Sequence, residues 1–495
     1  MLTMLGSPRR CCDGITRRET LKAGALSALG GFGLPELMAA KDAKAARPGK
    51  AKSVILLYLL GGAATQDMYD LKPRAPKEVR SQFQPIATSA SGVEVCEHLP
   101  LSAKWMHKTA IVRSLTHNVG CHNTLPGYTG HEVMLRNNTT TSDAYPPSMG
   151  AVCEYLKQSS GRKDPRDFGK SLGSAHGDDL FPDYVYMPCY LGWGQGIVRP
   201  GPYAGFLGKQ YDAMTTECDP HQPKNAPKPV AGKPATVLGR PRLPNSVLQS
   251  GLTIDRLNRR RTLMQQIDDK LRLHDSQSSA RSFDRHQQRA FDVLTSSRLK
   301  SAFDVDAEDP KLVDRYGRTL FGHSTLIARR LVEQGVRFVN VTWDLFWDRA
   351  KVDYDAWDTH NNNFAILKEN KLPGFDQTFS ALMSDLSSRG LLDETLVVVM
   401  SEMGRTPKIN PRAGRDHWTY CYGVLFAGAG IKGGTVYGAS DAQAAYVKDK
   451  PVSTSDVCAT IYHCLGIDPQ FRVPDRTNRP VEIAHGGKPI AGILA

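Results

Sequence analysis

Side chains able to bind metals or move protons recur in this 495-residue chain next to the segments most apt to be buried strands. Past residues 54–60 come Gly61, Gly62 and Asp67, and past 109–114 come His117, Cys121, His122 and Thr124. Past 336–342 come Asp344, Asp348, Asp358 and His360, and past 396–400 come Glu402 and Arg405. Arg415, Asp416 and His417 stand just before 422–427. In open parallel sheets ligands sit beyond the carboxyl ends of the strands. Any one of these groups is an ordinary loop feature, and an Asp-x-His on its own is more often a cap. Their convergence at several strand ends is what a metal site needs. Carboxylates and imidazoles without thiolates suit a divalent metal, Zn²⁺ or Mn²⁺ ahead of the harder Ca²⁺ or Mg²⁺. Two such metals would polarise a phosphoryl or sulfuryl oxygen and activate water or a hydroxyl. Arg405 and Arg415 would pair with an oxyanion.

The elements that must position these groups follow from the apolar pattern. Residues 54–60 are a short apolar run stopped by Gly61-Gly62, which suits a strand buried on both faces. Segments 109–114, 336–342, 396–400 and 422–427 repeat that pattern. Leu372, Phe375, Phe379, Leu382, Met383 and Leu386 hold a 3.6-residue period ended by Gly390, so a helix precedes the fourth strand. Residues 325–333, stopped by Gly335, form another helix before the third. Helix and buried strand in alternation predict an α/β fold, a mainly parallel central sheet with helices on both faces. Residues 155–250 are rich in Gly and Pro and read as irregular elaboration; residues 251–305, charged and nearly free of Pro, read as two helices. Together they form an insertion at about 155–305 in a single domain spanning 46–495. The four arginines within 256–261 read as a solvated helix face ahead of a substrate-facing patch.

Composition narrows the function classes. Apolar residues make up 40% and charged residues 23%, which suffices for a large core and excludes a fibrous or wholly disordered chain. The net charge of +13 favours acidic partners, yet no dense basic block or aromatic-interleaved basic stripe supports nucleic-acid binding. No apolar run is long enough for a transmembrane segment. Thr16-Arg17-Arg18-Glu19-Thr20-Leu21-Lys22, followed by a weakly apolar stretch to Leu37, describes an export signal over residues 1–45. The paired arginines favour the twin-arginine route, hence a periplasmic or secreted protein. Of ten cysteines, none forms a CxxC pair, which argues against a zinc knuckle or thioredoxin-like motif.

With these residues in place, the chain resembles an uncharacterised family of twin-arginine-exported proteins of planctomycete-type bacteria, placed in the alkaline phosphatase/sulfatase superfamily. The resemblance rests on Gly61-Gly62 with Asp67-x-x-Asp70-x-Lys72-Pro73, and on Asp358-Thr359-His360. It rests also on the run from Leu391 to Pro407 containing Ser401-Glu402-x-Gly404-Arg405-Thr406, and on Gly414-Arg415-Asp416-His417-Trp418. It implies an alkaline phosphatase-like fold and a two-metal hydrolase of phosphate or sulfate esters, including those of a sulfated polysaccharide. Asp67 then resembles the first metal carboxylate, Asp358 and His360 the middle pair, Glu402 the late-strand ligand, and His417 with Asp416 the last. Cys121, His122 and Thr124 occupy the nucleophile region. The chain departs from the pattern where Gly61-Gly62 replaces an acidic pair, where Ala63-Ala64 replaces Pro-Ser, and where Cys121 lacks the Pro and Arg of a sulfatase maturation motif. The rival readings are a non-catalytic protein binding an anionic glycan or a partner on a degenerate hydrolase fold, and a cell-envelope scaffold.

Overall fold

The computed structural model describes residues 50–120, 122–135, 141–160, 181–193, 197–224, 236–244, 296–344, 346 and 356–495. The leader over 1–45, Cys121, Asp348, the arginines of 256–261 and all of the expected helical stretch before residue 296 lie outside them.

Eight strands form the central sheet: β1 (Ser53–Leu59), β2 (Thr109–Leu115), β3 (Tyr184–Met187), β4 (Met214–Thr215), β5 (Phe338–Trp343), β6 (Thr395–Met400), β7 (Tyr422–Gly428) and β8 (Thr435–Tyr437). Their order is β8-β2-β7-β6-β1-β5-β3-β4. β1 pairs in parallel with both β5 and β6, while β7 runs antiparallel to β6 and β2. The mainly parallel α/β sheet expected from the sequence is therefore present, with β7 as its one reversed strand. That reversal matters for the site. It brings the chain just before β7 to the same edge of the sheet as the chain just after β1, β5 and β6.

β1 explains why the sheet is covered on both sides. Strand side chains alternate between faces, and every residue of β1 is buried. Ile55, Leu57 and Leu59 join one apolar core with Leu326 and Leu331 of α3 (Leu320–Glu333) and Phe375, Phe379 and Leu382 of α4 (Leu372–Ser388). Val54, Leu56 and Tyr58 join a second core with Val152 of α2 (Met149–Ser160) and Val457 and Ile461 of α5 (Thr454–Cys464). α3 begins at Thr319, whose side chain accepts from Gly322 N, and α5 begins with a reciprocal Ser453/Asp456 capping box. Arg329, wholly buried, links α3 to α4 by pairing with Asp385 at 2.8 Å, and it also pairs with Glu308, ahead of α3, at 2.6 Å.

The reading of 155–250 as irregular and surface-facing is corrected at β3. Tyr184–Met187 is fully buried and pairs with β5. A four-residue strand among glycines and prolines leaves too short a pattern to separate from its surroundings. Of the two helices expected over 251–305, the described part holds Ser297–Phe303.

The C-terminal tail is tied to the loop after α1 (Leu125–Thr129), where His131 and His485 stack with ring centroids 4.3 Å apart. Burial, with the His131 charge beside it, pushes the His485 imidazole down to about 4. The unfolded chain takes up a proton near pH 6.5 and the folded chain resists it. Stability is therefore full above about 6.5 and falls as pH drops toward 4, by at most ~1.4 kcal/mol per unit. Denaturant titrations at pH 7 and 4.5 should register that loss, and His485→Asn should flatten the dependence; an unaltered slope in the variant would assign it elsewhere.

Candidate metal centre

Five of the chain's strand-end segments meet at one point. β1 ends in Gly61 and Gly62, with φ of 110° and 85°. A Cβ on Gly61 would stand 2.6 Å from Asp358 N. Only glycine lets the segment carrying Asp358 close onto the end of β1, where Trp357 N donates to Leu60 O at 2.8 Å. The second close approach is at Gly414, where a Cβ would overlap the His360 carbonyl. His122, at φ 56°, comes from the loop after β2. Glu402 follows β6, and His417 lies in a two-residue strand pair in which Arg405 faces His417.

His122, Asp358 and His417 each offer a donor atom, and all three atoms lie within 4.8 Å of one another. The His122 Nε2–Asp358 Oδ2 distance is 3.4 Å and the His417 Nε2–Asp358 Oδ1 distance is 3.2 Å. Ligands about 2.0–2.1 Å from a tetrahedral Zn²⁺ are separated by about 3.3 Å. Each histidine therefore stands at ligand spacing from one Asp358 oxygen, and the mixed imidazole and carboxylate chemistry is of the expected kind, with His122 in place of an expected ligand. His360 stands outside the trio but against it, with Nε2 3.1 Å from Asp358 Oδ1 and 2.8 Å from His417 Nε2.

Glu402 and Asp416, expected as ligands, are placed behind imidazoles instead. Glu402 Oε1 lies 3.2 Å from His122 Nδ1, and Asp416 Oδ1 lies 2.7 Å from His360 Nδ1. Each carboxylate thereby directs the other ring nitrogen, Nε2, into the centre. Glu402 is fixed in turn by Gly61 N at 2.9 Å and Ser401 Oγ at 3.1 Å, and Asp416 by Asn410 Nδ2 at 3.1 Å.

Asp67 and Arg415 do not join the cluster. Arg415 donates from Nε and Nη2 to the two oxygens of Asp67 at 2.8 and 2.9 Å, and neither side chain is exposed. Asn363 Nδ2 also donates to Asp67, and the remaining Arg415 donors go to the carbonyls of Thr406, Pro407 and Val79. The expected metal carboxylate and oxyanion clamp are therefore a buried ion pair. Arg405 is likewise enclosed, donating to the carbonyls of Gly61, Gly62 and Arg415 and to Asp358. Its part is to neutralise Asp358 from behind. Thr124 donates its hydroxyl to Pro200 O and is fully buried, so it does not face the centre. A cleft of about 770 Å³ lined by Glu97, His98, Leu101 and Asp376 holds none of these groups.

The charges set the protonation of the cluster. Burial opposes ionisation of Asp358, but the Arg405 charge and hydrogen bonds from three histidines hold its carboxyl far below the usual range. Burial likewise works to raise Glu402, and the bond and charge of His122 outweigh it and lower it. Burial disfavours the His122 cation, yet its bonds to Asp358 and Glu402 raise it. The bond to Asp358 raises His360, while burial lowers His417. Three carboxylates thus surround three imidazoles, with Arg405 against Asp358 and Arg199 donating to the His122 carbonyl at 2.7 Å.

Sequence reasoning missed Asn363 and Asn410 and gave His117, whose Nε2 lies 2.8 Å from the Glu402 carbonyl, no role of its own. Their partners lie tens to hundreds of positions away or on a tight turn, so no local spacing marks them.

A family profile described as "Protein of unknown function (DUF1501)" matches residues 51–494. No curated protein sequence matches the chain. Among solved structures, similarity is found to the lipoteichoic acid synthase LtaP from Listeria monocytogenes, at 10% identity and TM-score 0.34, covering 92% of this chain and 81% of that one. It is found also to PsFucS1 sulfatase from Pseudoalteromonas sp. (11%, 0.36, 96% and 77%) and to phosphonate monoester hydrolase SpPMH from Silicibacter pomeroyi (12%, 0.29, 89% and 76%). Scores of this size leave the activity to be argued from this chain's own residues.

Two outcomes are expected from these placements. Glu402→Gln should weaken metal affinity about 10–100-fold without changing the number of ions bound, as loss of a carboxylate behind a ligating histidine does; competition with a chromophoric chelator measures it. Arg415→Gln should destabilise the fold by roughly 3–5 kcal/mol by stranding the Asp67 charge, read from the denaturation midpoint. A selective rise in KM for anionic esters would contradict the buried-pair placement.

Proposed function

The chain belongs to this DUF1501 family of proteins of unknown function, and we propose that it is an exported, metal-dependent hydrolase of phosphate or sulfate esters. The observation that carries the reading is the cluster of His122, Asp358 and His417 donor atoms at ligand spacing, with a carboxylate set behind His122 and another behind the adjoining His360. The donor set favours Zn²⁺ or Mn²⁺. Export rests on the Arg17-Arg18 leader; among the described residues no helix is long and apolar enough to cross a membrane.

The bound ion supplies Lewis acidity at the ester oxygen. This chain's residues do the rest. His122, Asp358 and His417 hold the ion's position, and Arg405 keeps Asp358 ionised. Glu402 fixes the His122 ring so that Nε2, not Nδ1, faces the centre. His360 lies on the open side, backed by Asp416, whose side chain is 49% exposed. With a bound ion rather than the His360 proton balancing Asp358, His360 Nε2 would take the proton of the attacking water, Asp416 would steady the imidazolium, and that proton would pass to the departing ester oxygen. Water is taken as the nucleophile in this reading because, among the described residues, the hydroxyls of Thr65, Thr124 and Ser401 are engaged with Gly423 N, Pro200 O and Leu59 O.

The enclosure of Arg405 and Arg415 favours a second reading, an anionic-glycan-binding protein without turnover, since neither arginine is free to steady a transition-state charge. Elemental analysis of exported protein, paired with a panel of aryl phosphate and sulfate esters, separates the two. The hydrolase reading expects one divalent ion per chain and turnover abolished by chelation. His417→Ala should lose the ion, whereas His360→Asn should keep it and lose about 10²–10⁴-fold in kcat. A fully loaded protein that turns over no ester leaves the binding reading; a His417→Ala variant that keeps its ion removes the site altogether.

A further inference from the structure

Five large apolar side chains are conspicuously exposed among the described residues, and two of them, Tyr420 at 44% and Tyr446 at 54%, belong to one cluster with Trp418. The Trp418 ring lies 5.0 Å from Tyr420 and 5.5 Å from Tyr446, and the two tyrosines are 5.8 Å apart. Leaving such rings in water gains nothing for the fold. The cluster is also held rigid. Trp418 Nε1 donates to Ala445 O at 2.6 Å. Asp441 accepts from the backbone of Gln443, Ala445 and Tyr446, which fixes the loop that presents Tyr446.

Its position ties it to the metal centre. Trp418 follows the donor His417 in the same short strand, and alternation along a strand turns its ring away from the cluster onto an adjoining surface. His117 braces the two regions together: its N–H donates to Thr419 O at 3.0 Å, and its ring bonds the carbonyl of Glu402.

We propose that Trp418, Tyr420 and Tyr446 form a stacking platform for the sugar rings of an oligosaccharide whose ester group is presented to the metal centre. The proposal rests on the hydrolase reading for the direction in which the ligand runs, and names the substrate class. Rigid aromatic rings give large contact area at little entropic cost. A pyranose has an apolar face of the size of one such ring and a polar edge. Asp441, which accepts from the backbone N–H of Tyr446 at 3.2 Å, stands beside the rings and suits that polar edge. A stable protein interface needs about 800 Å² from each partner, more than three partly exposed rings provide. A ligand that covers both the platform and the centre is a chain of sugars rather than a small monoester.

The test is a glycan array of neutral and sulfated oligosaccharides probed with the metal-loaded protein, followed by titration of the strongest binders using Trp418 fluorescence. Tyr420→Ala and Tyr446→Ala are surface changes, so melting temperature and metal content should stay at wild-type values. Each should weaken oligosaccharide binding about 5–10-fold. No binding to any glycan, binding unaltered in both variants, or capture of peptides alone would overturn the platform. Failure of the hydrolase reading looks different: metal-loaded protein that turns over no ester would still bind a neutral oligosaccharide through the rings, and Tyr420→Ala would still weaken that binding.

Discussion

The candidate donors sit on loops and on one two-residue strand, and such segments hold ligand spacing only where something buried holds them. The Asp67–Arg415 pair does so here. Arg415 N donates to Thr359 O at 3.1 Å, and the Thr359 hydroxyl bonds Asn363, whose amide reaches Asp67. The segment with Asp358 and His360, the segment with His417 and the end of the first strand are thereby closed into one polar circuit. Two ions taken out of water repay their desolvation only with near-complete hydrogen bonding. Arg415 meets that condition by spending its donors on Asp67 and three carbonyls, which is also why it has none left for a substrate.

The same economy separates the carboxylates. Asp358 faces the centre and is neutralised from behind by Arg405. Glu402 and Asp416 stand one imidazole further out, each on an Nδ1. A histidine with two equivalent nitrogens can ligate through either; a carboxylate on one nitrogen makes the choice. The residue types that suggest a ligand and those that suggest a ligand's support are identical, so only the geometry assigns them.

The backbone is under the same constraint. Gly61 and Gly414 are the points at which the Asp358–His360 segment is pressed between the first strand and the Arg415 loop, with no room for a Cβ at either. The reversed strand Tyr422–Gly428 then returns the chain from that loop into the sheet, fixing His417 at the edge where the parallel strands end.

The sequence by itself determined the layers and the meeting place. Apolar runs of five to seven residues, each followed by polar groups, specify buried strands whose ends gather Asp, Glu and His, because the burial that makes a strand is local and periodic. The run Tyr184–Met187 escaped that logic since four residues carry too little period. Tertiary structure alone decided the roles. It paired Asp67 with Arg415, set Glu402 and Asp416 behind imidazoles, and brought His122, a candidate of the nucleophile region, beside Asp358 and His417 as a candidate donor. Those outcomes turn on which of two nitrogens or oxygens a partner hundreds of residues away can reach, and spacing along the chain carries no record of that distance.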